Sequence, residues 1–193
     1  MPVIGLTGNY GMGKSTVAGL FREAGAVTLD LDDIVDELLN EDDVIARIIE
    51  ILGDSVLSGK KLNRPKIAEI IFTEREKREL LEGLLHPLVI GRMKDFLKKM
   101  DKDKVIIIEI PLLFERQYEG EFDKTITVYT DKDIALKRLE SKGIKREDAL
   151  MRLQAQMPIE EKIKRSDFSI NNNGTIDETR QQVLDILEKI RLC

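Results

Sequence analysis

Apolar residues follow two rhythms along this chain, and their alternation predicts its architecture. Short continuous apolar runs closed by turn or acidic residues mark buried strands: VIGLT at 3–7, Ala26 to Leu29, VIIIEIP at 105–111, KTITVYT at 124–130 and DFSI at 167–170. Elsewhere apolar positions recur at helical spacing. Val17, Leu20 and Phe21 line one face of residues 14–25, with Gly25 as a natural C-terminal cap. A helix is expected over 131–141. Residues 142–165 read as basic-rich and helical with a break at Pro158, NNNG at 171–174 as a loop, and the segment from Thr175 as a closing amphipathic helix. From Ile34 to Met100 no strand is expected. That stretch reads as helices interrupted by the turn-rich GDSVLSGKKLNRP (53–65) and by His86-Pro87, where proline should start a new helix. The opening strand–loop–helix–strand order predicts a parallel sheet, and the long helical stretch reads as an insertion at its carboxyl edge.

Composition narrows the class of partner. The 193 residues are 42% hydrophobic, enough for a real core, and the net charge is −5 with the two signs interleaved. That balance argues against broad binding of a nucleic-acid backbone, which needs a basic field. It says little about a small anion, which one lysine and a nest of N–H groups can hold on an acidic protein. Cys193 is the single cysteine and His86 the single histidine, so neither a disulfide framework nor a Cys/His metal cluster is expected. No signal-like opening and no apolar run of membrane-spanning length is present in the sequence. The chain therefore reads as soluble and cytoplasmic, with no membrane or nucleic-acid partner; its oligomeric state is not legible.

Chemistry enters at GNYGMGKST, residues 8–16. Gly8, Gly13, Lys14 and Ser15 match G-x-x-x-x-G-K-[ST], and the match lies between a strand and a helix, where its mechanics require it. Glycines let the backbone wrap a phosphate at the helix N-terminus. Lys14 would reach the outer phosphates and the Ser15 hydroxyl would help hold Mg²⁺. The chain is thus expected to bind a nucleoside triphosphate. No aspartate has a glycine three residues on, and TDKD (130–133) lacks the asparagine of a guanine reader, so a GTPase switch is disfavoured. A small chain with helical inserts and a basic segment better suits a small-molecule kinase, whose cationic lid excludes water. LDLDD (29–33) ends the second strand at the sheet's carboxyl edge, where open α/β sheets place ligands. Asp30 and Asp32 would point the same way if the stretch is extended. Whether they serve the acceptor hydroxyl or cap the following helix is open.

VIGLTGNYGMGKSTVA, the LDLD after it, LLHP (84–87), IEIPLLFE (108–115) and the series Arg152, Gln156, Asp167, Asn172 and Gly174 resemble the dephospho-CoA kinase family in order and spacing. The resemblance runs through essentially the whole chain. It implies an α/β P-loop NTPase fold of the nucleoside- and nucleotide-kinase kind: a five-stranded parallel sheet flanked by helices, with a helical insertion and a lid. The core would be residues 1–30, 104–130 and 166–193, the helical CoA-side subdomain 31–103 and the lid region 131–165. It also implies transfer of the γ-phosphate of ATP, with Mg²⁺, to the ribose 3′-hydroxyl of dephospho-CoA, the last step of CoA biosynthesis. By position, Gly11, Met12, Gly13, Lys14, Ser15 and Thr16 match the phosphate cradle, and Lys14 and Asp32 the catalytic pair. Asp32 matches the second acid of the family's motif and would on that resemblance face the acceptor hydroxyl, and Asp30 matches the first acid of the same motif. Arg138 and Arg152 match basic positions on the nucleotide and lid side, and Asn172 with Gly174 the adenine-side loop. Asn9, Tyr10 and Met12 depart from the usual pattern and read as tolerated side chains on a loop that works through its backbone. Leu31, Asp36 and Lys142 depart as well; Lys142 stands where the fork of a lid arginine is usual.

Other residues keep two readings at this level. His86 either closes one helix before Pro87 starts another or contacts substrate. Glu109 either serves Mg²⁺ through water or caps the segment after its strand. Pro111, Leu112, Leu113 and Phe114 read as wall and core, with Pro111 a candidate lining the acceptor pocket, and Arg64 as a surface or capping residue. Most remaining helix charges are expected on solvated faces. A kinase for another small hydroxyl acceptor, and an ATP-binding switch that phosphorylates nothing, are the rival readings.

Overall fold

Five strands lie side by side as one all-parallel sheet in the computed structural model of this protein, which describes residues 1–59 and 61–192; Cys193 lies outside the described residues. They are β1 (Val3–Thr7), β2 (Val27–Asp30), β5 (Ile106–Glu109), β6 (Lys124–Tyr129) and β7 (Phe168–Asn171), in the order β2-β5-β1-β6-β7. The central strands are apolar on both faces: Ile4, Leu6, Ile106, Ile107 and Ile108 are all fully buried. That is why continuous apolar runs, rather than alternating ones, mark them in the sequence. Helix α1 (Lys14–Glu23) contributes Val17, Ala18, Leu20 and Phe21 to the core, and α9 (Ile176–Arg191) contributes Val183, Ile186, Leu187 and Ile190. Both sets have the spacing of a single helical face. Helix α9 starts at a capping box, Thr175 accepting from the Glu178 N–H and Glu178 from the Thr175 N–H. Helices α6 (Lys132–Glu140), α7 (Arg146–Gln154) and α8 (Ile159–Arg165) complete this unit, which is Met1–Asp30 with the chain from Asp101 onward.

Residues Leu31–Met100 form a second, helical unit. It holds α2 (Leu31–Leu38), α3 (Asp42–Leu52), α4 (Arg64–Thr73) and α5 (Arg75–Lys98), packed through Ile34, Leu38, Ile48, Leu81, Leu84 and Met93, among others. Three expectations are corrected here or beside it. The turn-rich segment 53–65 carries a short antiparallel pair, β3 (Leu57–Ser58) and β4 (Lys61–Leu62). Pro87 does not start a helix; it lies inside α5, which continues through it. The reason is packing: Leu81 and Leu84 before it, and Val89, Ile90 and Met93 after it, are all buried, while Gly83, His86 and Pro87 are exposed. The Gly83 carbonyl deprived of its helical donor therefore lies on the exposed side of the helix. Finally, LDLDD is not extended. Asp30 ends β2 and Asp32 is already in the first turn of α2, so the two carboxylates do not share the face of a strand.

Among the described residues no helix is long and apolar enough to cross a membrane.

Candidate active site

The phosphate loop takes its shape from glycines at two places where a side chain has no room. Gly13, the N-cap of α1, has φ 92°, and a Cβ there would stand 2.2 Å from Asn172 Nδ2. At Gly8 a Cβ would stand 2.3 Å from the Val128 carbonyl oxygen on the neighbouring strand. No side chain caps α1 and its first turn carries no acid. Its opening N–H groups are thus left without a side-chain acceptor at the positive end of the helix, an arrangement that favours an anion. Lys14 Nζ donates to the Gly8 carbonyl at 2.8 Å, folding the lysine back along the loop. Ser15 and Thr16 follow on the exposed side of the first turn.

Residues from two later segments close around this loop. Asn172, just past β7, is buried; its Nδ2 donates to the Met12 carbonyl at 2.9 Å and its Oδ1 accepts from Thr179 Oγ1 at 3.2 Å. Its side chain therefore braces the phosphate loop. Arg138 of α6 donates through Nη2 to the Asn172 carbonyl at 2.9 Å. Its Nη1 is buried, has no hydrogen-bond partner among the described residues and stands 3.6 Å from where a Gly13 Cβ would be. Gly174 makes room for the capping carboxylate of Glu178, which would lie 2.0 Å from a Cβ there.

The carboxyl edge of the sheet supplies the acids. Asp30 and Glu109 are register partners at the ends of β2 and β5. Glu109 is 7% exposed, and its carboxyl is pushed above the usual range by burial first and the Asp30 charge second. A hydrogen bond from Ser15 and the charges of Lys14 and Arg22 act in the opposite sense. The Pro111 carbonyl, just past β5, accepts from Thr7 Oγ1 at 3.2 Å and from Lys162 Nζ at 2.8 Å.

Asp32 and His86 belong to the helical unit, where both are exposed. His86 sits mid-helix in α5 rather than at a helix end. Asp36 is paired with Arg64 at 2.6 Å on the surface of that unit, in keeping with a surface role for Arg64.

Several contributors escape a reading of the sequence. Lys162 falls among the charges expected on solvated helix faces, yet it is completely buried and pairs with Glu115 Oε1 at 2.8 Å. Burial lowers its ammonium pKa, and the Glu115 hydrogen bond and charge oppose that. The signal is present: Ile159, Lys162, Ile163 and Ser166 lie on one helical stripe. Asn9, Tyr10 and Met12 are also more than tolerated. Met12 is buried, Asn9 Nδ2 donates to the Met157 carbonyl at 2.9 Å, and Arg152 lies over the Tyr10 ring. These contacts join residues more than a hundred positions apart, so no local pattern announces them.

Comparison with known proteins places this arrangement. Residues 2–178 match the family model of dephospho-CoA kinase. A dephospho-CoA kinase from Carboxydothermus hydrogenoformans is 37% identical over 194 residues, covering 98% of this chain and 94% of that protein. A crystal structure from Thermus thermophilus superposes with a TM-score of 0.88 at 33% identity, covering 97% of this chain and 96% of that one. The dephospho-CoA kinase from Campylobacter jejuni gives a TM-score of 0.72 at 29% identity, covering 98% and 97%. A phosphate loop at the end of β1, a parallel sheet behind it and a match through both units lead to one conclusion: the chain belongs to the dephospho-CoA kinase family, ATP-dependent kinases of P-loop fold.

Proposed function

We propose that this protein transfers the γ-phosphate of ATP to the ribose 3′-hydroxyl of dephospho-CoA, giving CoA and ADP. The observation that best supports the donor half is Arg138 Nη1, a buried guanidinium N–H without a partner beside the uncapped N-terminus of α1. A buried charged donor left unsatisfied is costly, and a phosphate oxygen satisfies it. In this reading residues 11–16 cradle the phosphates, Lys14 and the cations Arg138 and Arg152 balance the charge that spreads in transfer, and Asn172 and Gly174 hold the loop beside the adenine. Asp32 positions or deprotonates the acceptor hydroxyl, Asp30 orients the acceptor, and His86 and Pro111 contact it. The chain's own contribution is chiefly positioning and electrostatics, since phosphoryl transfer asks for little covalent work from the protein. Residues 31–103 serve as the acceptor subdomain and 131–165 as the lid.

The residues present also suit Mg²⁺. Among the described residues no group of three or more His, Cys, Asp or Glu forms a metal cage. A magnesium ion that keeps its waters and substrate phosphates does not need one. Ser15 would ligate it, with Glu109 through water, and Glu109 and Asp30, register partners at the ends of β5 and β2, are two carboxylates whose charge a divalent cation would offset. When bound there, Mg²⁺ would supply charge neutralisation at the phosphates.

Incubation with MgATP and a panel of acceptors tests the proposal. Stoichiometric ADP formation with dephospho-CoA, and phosphorus NMR showing a new ribose 3′-phosphate, is the expected result. Consumption only with another hydroxyl acceptor, or with none, would overturn it.

A further inference from the structure

Two consecutive residues at the entry to the phosphate loop, Asn9 and Tyr10, contact α7 and its joint with α8. Arg152, in the last turn of α7, lies with its guanidinium carbon 5.1 Å from the Tyr10 ring centroid and donates through Nη1 to Tyr10 Oη at 3.1 Å. The backbone N–H of Tyr10 donates to Gln156 Oε1 at 2.8 Å. Asn9 Nδ2 donates to the carbonyl of Met157, the next residue, at 2.9 Å. Arg152 and the joint behind it are thereby tied to the two residues that precede Gly11, where the cradle begins.

From this we infer that Tyr10 is a positioning residue for nucleotide binding: its ring and hydroxyl hold the Arg152 cation at the mouth of the phosphate loop. The inference rests on the proposed ATP site and goes beyond it, because it assigns work to a side chain on a loop otherwise credited only with backbone donors. An arginine side chain on an exposed helix end samples many rotamers, and a ring beneath it plus an acceptor at its tip removes most of that freedom before ligand arrives. Binding then spends less on ordering the cation, so affinity rises without a new protein–ligand contact. Tyr10 acts entirely through Arg152, so its effect vanishes when Arg152 is absent.

Equilibrium binding of a non-hydrolysable ATP analogue with Mg²⁺ to the full chain, followed by calorimetry, tests this in a double-mutant cycle. Tyr10→Ala is expected to weaken binding about five- to tenfold, and Tyr10→Phe, which keeps the ring and loses the acceptor, about two- to threefold. The Tyr10→Ala/Arg152→Ala double variant is expected to bind no more weakly than Arg152→Ala alone. Full additivity of the two substitutions would overturn the inference, as would unchanged binding by Tyr10→Ala. Because the readout needs no acceptor, a failure of turnover with dephospho-CoA would count against the proposed reaction and leave this test standing. In turnover, Tyr10→Ala is expected to raise KM for ATP while leaving KM for dephospho-CoA unchanged. A parallel rise in both would mark a general loosening of the fold and refute the positioning role.

Discussion

Replacing Lys162 by methionine keeps the length of the side chain and deletes its ammonium. That ammonium is wholly buried and donates to Glu115 Oε1 and to the Pro111 carbonyl, each at 2.8 Å. Pro111 loses little, since Thr7 Oγ1 still donates to it at 3.2 Å. Glu115 loses more. Its side chain is only 18% exposed, its Oε2 has no hydrogen-bond partner among the described residues, and Oε1 is left with the Met157 N–H at 2.9 Å. Stranding one member of a buried ion pair costs about 3–5 kcal/mol, and partial exposure of the carboxylate puts this case near the lower end, about 3 kcal/mol. For a chain of this size each kcal/mol shifts the thermal midpoint by about 2–4 °C, so a fall of about 6–12 °C is expected. Denaturant titration and thermal melts followed by circular dichroism measure it. Adding Glu115→Gln removes the stranded charge while leaving an oxygen for the Met157 N–H, and should restore stability to within about 1 kcal/mol of wild type. A loss below about 1 kcal/mol in the single variant, or a double variant as unstable as the single, would refute the reasoning.

Three further outcomes are expected from the same geometry. Gly13→Ala meets both a left-handed backbone at φ 92° and a contact of 2.2 Å with Asn172 Nδ2, so the loop must shift. ATP affinity should fall by about tenfold or more, since the strain alone is about 1–2 kcal/mol and the brace is displaced too; wild-type affinity by calorimetry would contradict this. Asp167 accepts from Lys124 Nζ at 3.0 Å, the Thr125 N–H at 2.8 Å and Thr125 Oγ1 at 3.1 Å. Burial pushes its carboxyl up, but those partners outweigh it and hold it below the ordinary aspartate value. The stability it contributes is therefore present above about pH 4 and lost as pH falls through its lowered value. Asp167→Asn should cost about 1 kcal/mol at neutral pH, with the gap to wild type closing in acid; a gap independent of pH would sink the assignment. Asp32→Asn should cut turnover by about a hundredfold with ATP binding nearly intact, and near-normal turnover would remove Asp32 from the base role.

The phosphate loop was legible because its chemistry is local. Gly8, Gly13, Lys14 and Ser15 lie within one strand-to-helix turn, and the backbone there adopts the positive φ that only glycine accepts cheaply. The central strands were legible for a related reason: a strand covered on both faces must be apolar at every position, and Ile106–Ile108 are. Helix breaks were less so. Pro87 carries a real local penalty, but α5 buries apolar residues on one face both before and after it, and that burial outweighs the lost hydrogen bond. The two acids of LDLDD do not share a face because strand and helix abut with no loop between them, and which residue begins the helix is decided by the packing of Leu31 and Ile34.

The amino-acid sequence alone determined the class of fold, the glycine-bounded loop between β1 and α1 and the order of the parts, since each depends on residues close in the chain or on a repeating pattern of burial. Tertiary structure decided which polar groups work together. Asn172 braces Met12 from 160 residues away, Arg138 brings an unsatisfied N–H to Gly13, and Lys162 is buried against Glu115. Tyr10 receives Arg152 across 142 positions. The physical reason is the same in each case. A hydrogen bond depends on where two groups end up in space, and for residues far apart in sequence that is set only once the sheet has brought its strand ends and loops to one edge.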